Sequence, residues 1–175
     1  MTEPRVRLRD VTIADADQLD AWSSDPSPFN DFGGGREPVD RDALTAGPLR
    51  NEHNGVLIVE LIEGSRAIGT VSWHRVGYGP PGGSDAWNVG IELAPDARGH
   101  GYGVDAQRLL ARYLFDNTSA NRVEAQTDIE NVAEQRALEK AGFIREGVAR
   151  GSQFRAGAYH DLVCYSILRS EVEED

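Results

Sequence analysis

The sequence predicts one α/β domain with a mixed, mostly antiparallel sheet of about seven strands flanked by about four helices. Three features carry that expectation. The chain has 175 residues, 39% of them hydrophobic and 27% charged, enough apolar material for one core and too little length for two. Most β-rich runs follow one another directly, and one pair is joined by only Gly64-Ser65, a hairpin spacing. One unit is different: a strand, a glycine-rich turn and an amphipathic helix in succession between 87 and 116.

The elements follow in order. "RVRLR" (5–9) alternates and reads as the first strand. Thr12 and Asp15 stand as an N-cap and its third-position carboxylate, so a helix starts in "TIADADQLDAWS". The stretch 23–40 is dense in Pro, Gly, Asp and Ser and reads as loop, after which Asp40 caps a short helix through Leu49. "GVLIVELIE" and "RAIGTVSWHRV" form a hairpin, 77–86 is a second loop, and "WNVGIELA" (87–94) is the next strand. From Val104 to Asp116 the apolar face is Ala106, Leu109, Leu110, Tyr113 and Leu114, with Asp105/Arg108 and Arg112/Asp116 as charged neighbours. "NRVEAQTD" (121–128) is a strand. A helix over 131–143 is capped by Asn131 and stopped at Gly142, a residue that tolerates left-handed backbone. "FIREGVARG" and "AYHDLVCYSILR" close the chain as a hairpin, and 171–175 is expected to be a disordered acidic tail of the single 1–175 domain.

Composition excludes several functions. A net charge of −11 repels a phosphate backbone, so nucleic acid is not an expected partner. Cys164 is the one cysteine, which rules out an internal disulfide and a cysteine zinc cluster. It sits in "LVCYSIL" and reads as core. The four histidines (53, 74, 100, 160) are too scattered for a metal site by spacing, so no metal is expected. The N-terminus lacks an apolar signal segment and no run is long enough to cross a bilayer, so a cytoplasmic protein with no membrane partner is expected.

The turn itself, "LAPDARGHGYGVDAQRLL" (93–110), places Gly99, Gly101 and Gly103 on alternate positions. A strand–glycine–helix junction presents free N–H groups and a positive dipole end to an anion. Glycines there permit φ > 0 and remove Cβ atoms that would hold a phosphate away. The Gly-Lys-Ser/Thr of a Walker loop is absent. "GYGVDA" (101–106) fits the dinucleotide pattern, with Glu124 and Asp128 near the ribose position, so an NAD(P)-dependent oxidoreductase stays open as a minority alternative. Against it, "PDARGH" separates the strand from Gly101, and no βαβ series continues.

Arg98, Gly101 and Gly103 also match Arg/Gln-x-x-Gly-x-Gly/Ala. With "GIELAPDARGHGYG", "NRVEAQTDIENVAEQRALEKAGFIREG", "AYHDLVCYSILR" and the opening "RVRLRDVTIADADQL", the chain resembles the GNAT superfamily of N-acetyltransferases. Within it, the sequence is similar to the branch of ribosomal-protein N-terminal acetyltransferases. The resemblance fades over 23–53 and 77–86. It implies direct acetyl transfer from acetyl-CoA to an amine, a small molecule or a peptide N-terminus. It also implies that strand 87–94 splays from strand 122–127, freeing backbone groups of Ile91 and Leu93 for the pantetheine arm. The N–H groups of Arg98, Gly99, His100, Gly101, Tyr102, Gly103 and Val104 would then hold the pyrophosphate, with Arg98 and His100 adding side-chain contacts. Asn131 resembles the family's asparagine on the cofactor arm, and as a helix N-cap it has an equally good local reason to be there. Dimers are common in the superfamily, so a homodimer is compatible with the resemblance.

The reaction needs a base for the amine and an acid for the departing thiolate. Glu92, on the face opposite Val89, Ile91 and Leu93, is the candidate base through a water; pairing with a neighbouring cation is the structural alternative. At the acid the sequence departs from Asn-x-x-Ser, reading Asn131-Val132-Ala133-Glu134. Glu134 falls at the capping-box position, which favours a structural role, yet it shares a face with Ala137, Leu138 and Ala141. Burial there would raise its pKa and let it carry a proton. The missing serine also leaves open a non-catalytic acyl-CoA-binding or sensing module. Acceptor choice is assigned to 23–40 with its following helix and to 77–86, where Phe29, Asp31, Phe32 and Gly33–Gly35 are candidate lining residues. Trp73 and Trp87 read as core, with a place in the acceptor wall as the alternative, and Asp161 as structural.

Overall fold

A computed structural model describes residues 3–23, 29, 38–80 and 83–173. Seven strands form one sheet in the order β1-β2-β3-β4-β5-β7-β6. They are β1 (Val6–Asp10), β2 (Asn54–Leu61), β3 (Ala67–Gly77), β4 (Asp85–Leu93), β5 (Arg122–Asp128), β6 (Ile144–Arg155) and β7 (Ala158–Leu168). Every neighbouring pair is antiparallel except β4–β5. Five α-helices accompany them among the described residues: α1 (Ala16–Ser23), α2 (Arg41–Ala46), α3 (Tyr102–Asn117), α4 (Val132–Ala141) and α5 (Arg169–Glu173). None is long and apolar enough to cross a membrane.

Local chemistry sets the ends. Asp15 accepts the backbone N–H of Thr12 at 2.9 Å and its hydroxyl at 2.8 Å, opening the turn into α1. Asp40 accepts from the N–H groups of Asp42 and Ala43. The helix behind it stops at Ala46, short of the expected Leu49, because Pro48 lacks a donor and disfavours helical geometry at Gly47. Asn131 caps α4 and Gly142, at φ 102°, ends it. The tail expected to be disordered from 171 is instead helical to Glu173. Glu171 accepts the N–H of Leu168, and Arg169 donates to the carbonyls of Phe115, Thr118 and Ala120 at the end of α3.

The core runs along both faces of the sheet. α3 and α4 cover one face, where Ala106, Leu110 and Leu114 pack on Val71, Trp73, Trp87 and Val89, all buried. Trp73 and Trp87 are buried on this face, as the core reading expects, and they also border a cavity of about 700 Å³ with Arg75, Gly83 and Asp85. The charged neighbours expected along α3 find more distant partners: Asp105 pairs with Arg5 and Arg108 donates to the Lys140 carbonyl. On the other face Glu60 accepts from Arg7 and Arg9, while Arg9 also forks onto Asp15. That network ties β1, β2 and the entry to α1 together. The Arg9 guanidinium holds the Asp15 carboxyl down at about 2, against the cost of its burial.

Strand contact is close where β3 meets β4. A Cβ on Gly69 would lie 2.1 Å from the carbonyl oxygen of Glu92 and 2.9 Å from the Leu93 Cα. Gly69→Ala is therefore expected to lower stability by about 2–4 kcal/mol, because only backbone could move to make room. The midpoint of urea unfolding at an unchanged slope is the check; a loss under about 0.5 kcal/mol would contradict it.

Candidate active site

β4 and β5 pair only over Trp87–Val89 and Val123–Ala125, then part. The Ala94 N–H donates to Ile68 on the β3 side. Strand alternation therefore turns the backbone groups of Gly90 and Glu92 toward β3 and those of Ile91 and Leu93 into the gap. The Leu93 carbonyl is occupied, accepting from Arg98 Nε at 2.9 Å. What faces the opening is the N–H and C=O of Ile91 and the N–H of Leu93. Arg98, expected on the anion, spends this nitrogen on the strand end.

Past a short turn at Pro95–Ala97, Gly99 and Gly101 adopt φ 78° and 81°, which only glycine takes without strain. The expected positive φ is met at Gly99 and Gly101, and the protein surroundings of the three glycines differ. A Cβ at Gly99 would meet nothing, one at Gly101 would meet the Arg5 guanidinium, and one at Gly103 would rest on Ile91 and Leu93. Gly101 caps α3 and, having no side chain, gives no cap bond to the first-turn N–H groups. A helix end of that kind suits an anion. The groove above it, about 610 Å³, is edged by Arg98, Arg136 and Lys140 as well as the loop. Arg136 and Lys140 were missed in the sequence although Ala133, Arg136, Ala137 and Lys140 repeat at helical spacing. His100 is exposed on the loop and its ring lies 5.7 Å from that of Tyr102.

Beyond the gap lies a second cavity of about 750 Å³, between the sheet and α1, with Trp22, Val39 and Phe29 on its far wall. Its floor is the face of the sheet carrying Thr70, Ser72, Asn88 and Glu92. Asp31, Phe32 and Gly33–Gly35 lie outside the described residues. Glu92 is half-buried and lines both spaces. Asn131 and Glu134 line both as well.

Glu134 does not close a capping box, which corrects the favoured reading of this residue. Asn131 Oδ1 accepts the Glu134 N–H, but the Asn131 N–H is already bonded to the Asp128 carbonyl. The Glu134 carboxyl turns instead to α3, where Gln107 Nε2 donates to it at 2.8 Å. Burial pushes its pKa up to about 7, further than the Gln107 amide draws it down. Gln107 itself is fully buried, and nothing in its sequence context distinguishes it from the apolar residues around it.

The side of the cavity toward β6 and β7 is a buried ion pair. Arg155 donates to Asp128, and also to Gln153 Oε1. Burial opposes ionisation of Asp128, yet the Glu130 N–H and Arg155 outweigh it and keep its pKa below the usual carboxylate range. Glu124 likewise has a structural partner set, Tyr78, Asn88 and Arg122, so neither carboxylate stands at a ribose site. Asp161 is structural, accepting the Gly151 N–H at the irregular stretch of β6. Cys164 is half-buried with its thiol near the Leu162 carbonyl.

A family model described as an acetyltransferase (GNAT) domain matches residues 5–144. The chain is 29% identical over 177 residues to a putative ribosomal N-acetyltransferase, YdaF, of Bacillus subtilis (strain 168), covering 95% of this chain and 87% of that one. Among solved structures, spermidine N-acetyltransferase from Vibrio cholerae in complex with CoA and spermine superposes with a TM-score of 0.79. It has 20% identity, over 97% of this chain and 98% of that one. Mycobacterium smegmatis RimJ in complex with CoA-disulfide superposes at 0.76, with 21% identity over 95% and 83%. At these identities the structures share the fold.

The raised pKa of Glu134 has a stability signature. In the unfolded chain the group ionises near the ordinary glutamate value, so the native state carries a penalty that is absent below about pH 4.5 and grows until pH 7. Glu134→Gln is expected to be nearly neutral at pH 4.5 and to stabilise by on the order of 1–2 kcal/mol at pH 8, allowing for solvent at the group's edge. Thermal unfolding of both proteins across this range reads it directly. A difference that does not change with pH would mean an ordinary carboxyl.

Proposed function

The chain belongs to the GNAT acetyltransferase family, and on that premise we propose that it transfers the acetyl group of acetyl-CoA directly to a primary amine, a protein N-terminus or a small amine. The observation that carries this reading is the parting of β4 from β5 beside the glycine loop. It leaves an extended strand edge for the two amides of a pantetheine arm, next to a helix N-terminus and three cations for its phosphates. The Asn131 Oδ1 is used in capping α4, so its Nδ2 amide is the part that meets the arm. The dinucleotide alternative is set aside by family membership.

Glu92 and Glu134 divide the proton work. Glu92 sits where the amine arrives and takes its proton through a water, so that the nitrogen lone pair is free to attack the thioester carbonyl. As the new C–N bond forms, the C–S bond breaks and the electron pair leaves on sulfur. Glu134, at the junction of both spaces, is part-protonated at neutral pH and gives its proton to that sulfur. The two carboxyls differ in surroundings: one stands on an open polar sheet face, the other between α3 and α4. Where the resemblance implies a serine, this chain has a carboxyl with a raised pKa to supply the proton.

An amine panel read out as free thiol, with spermidine and an alanine-initiated peptide among the acceptors, tests the reading. Glu92→Gln is expected to lower kcat by about 10²-fold at unchanged KM for acetyl-CoA, within the usual range for a general base. Glu134→Ala is expected to remove the alkaline fall of kcat above pH 7. Thermal stabilisation by acetyl-CoA with no thiol released by any amine would favour a binding or sensing module. Stabilisation by a nicotinamide cofactor alone would overturn both.

A further inference from the structure

The glycine loop is braced from behind by a residue almost a hundred positions earlier. Arg5 immediately precedes β1, and its carbonyl accepts the Ile62 N–H at 3.0 Å, which fixes its backbone to the end of β2. From there the side chain crosses to the loop and makes three kinds of contact. Its Nε donates to Asp105 Oδ2 at 3.0 Å, in the first turn of α3, and its backbone N–H approaches the same oxygen at 3.4 Å. One terminal nitrogen donates to the His100 carbonyl at 2.8 Å. The guanidinium carbon lies 5.0 Å from the centroid of the Tyr102 ring. The other terminal nitrogen lies 2.9 Å from where a Cβ on Gly101 would stand, so a side chain there would displace the Arg5 guanidinium, and the φ of 81° itself favours glycine.

We infer that Arg5 is a positioning residue for the cofactor's diphosphate: it fixes the loop so that the N–H groups from Gly99 to Val104 already converge before the anion arrives. The contact pattern supports this over a plain surface ion pair. A peptide whose carbonyl is held by a guanidinium has its plane fixed, and the Gly101 N–H in the same plane as the His100 carbonyl is oriented with it. Asp105 would otherwise place a bare carboxylate in the same helix turn that must receive an anion, and Arg5 offsets that charge. Arg5 is not among the residues edging the groove. It acts through the loop, which makes shape more important than charge. Lysine has the charge and lacks the planar fork that reaches Asp105 and the His100 carbonyl together.

The inference rests on the reading of this loop as the diphosphate seat, and the experiment separates the two. CoA and pantetheine, the part of CoA that lacks the nucleotide and its phosphates, are titrated calorimetrically or in competition into wild type, Arg5→Ala, Arg5→Lys and Asp105→Asn. The expected result is a loss of about tenfold in CoA affinity for Arg5→Ala, with pantetheine affinity held within about twofold. Arg5→Lys is expected not to restore CoA binding, and Asp105→Asn to fall between wild type and Arg5→Ala. An equal loss for both ligands would make Arg5 a general stabiliser of the fold and overturn the inference. Full rescue by lysine, or unchanged CoA affinity in Arg5→Ala, would overturn it too. If wild type itself bound CoA no better than pantetheine, the reading of the loop would fail first.

Discussion

The parting of two parallel strands in the middle of a sheet is the constraint on which this molecule depends. Inside a sheet, backbone donors and acceptors pair with a neighbour, and groups left without one are costly unless water or a ligand meets them. Here β4 keeps its bonds to β3 over nine residue pairs but keeps only three with β5. The sheet is held together below the opening by that short parallel contact, and on the far side by the long antiparallel register of β5 with β7. Rigid antiparallel pairs on both flanks are what allow the middle to stay open without unravelling. The opening also joins the two faces of the sheet, with Glu92, Asn131 and Glu134 lining both the groove beside α3 and the cavity beside α1.

The two candidate proton carriers follow from this geometry. Glu92 projects from an odd-even alternation that any strand imposes, and its place on the face with Thr70, Ser72 and Asn88 is a matter of parity. Glu134 reaches the same junction from a helix, which buries it against α3 and gives it a neutral amide as its partner instead of a cation. That burial raises the Glu134 pKa to about 7. The buried carboxylates on the sheet, Asp128 and Glu124, each have an arginine as partner, and for Asp128 the Glu130 N–H and Arg155 keep the pKa below the usual carboxylate range.

Much of this was legible in the sequence because it is encoded locally. Strand parity placed Glu92 opposite Ile91 and Leu93; Asn131 and Gly142 announced the ends of α4; the alternate glycines announced a turn with positive φ. What escaped was encoded across distance. Gln107 meets Glu134 over 27 positions, Arg155 meets Asp128 over the same separation, and Arg5 meets the loop over 95. In each case one partner looks unremarkable in its own neighbourhood: a glutamine in an amphipathic helix, or one arginine among several in a strand. The capping box was a local rule that lost to such a distant partner. The Asn131 N–H it needed had been claimed by Asp128, and Gln107 offered the carboxyl a donor instead. Arg136 and Lys140 are a different kind of miss, since their spacing with Ala133 and Ala137 was open to inspection.

The sheet is also a partition. The groove beside α3 is lined by the end of β4, the glycine loop, α4 and Phe29, whereas the far wall of the second cavity is built from the segment that precedes β2. That segment is fastened to the rest chiefly through the Arg9, Glu60 and Asp15 network and through packing on a polar floor. Change at wall residues such as Leu19, Trp22 and Val39, which line this cavity and not the groove beside α3, would therefore reshape the space on one side while leaving the other in place. A lineage built on this plan can change its clientele by rewriting one face of a wall whose other face is fixed by chemistry.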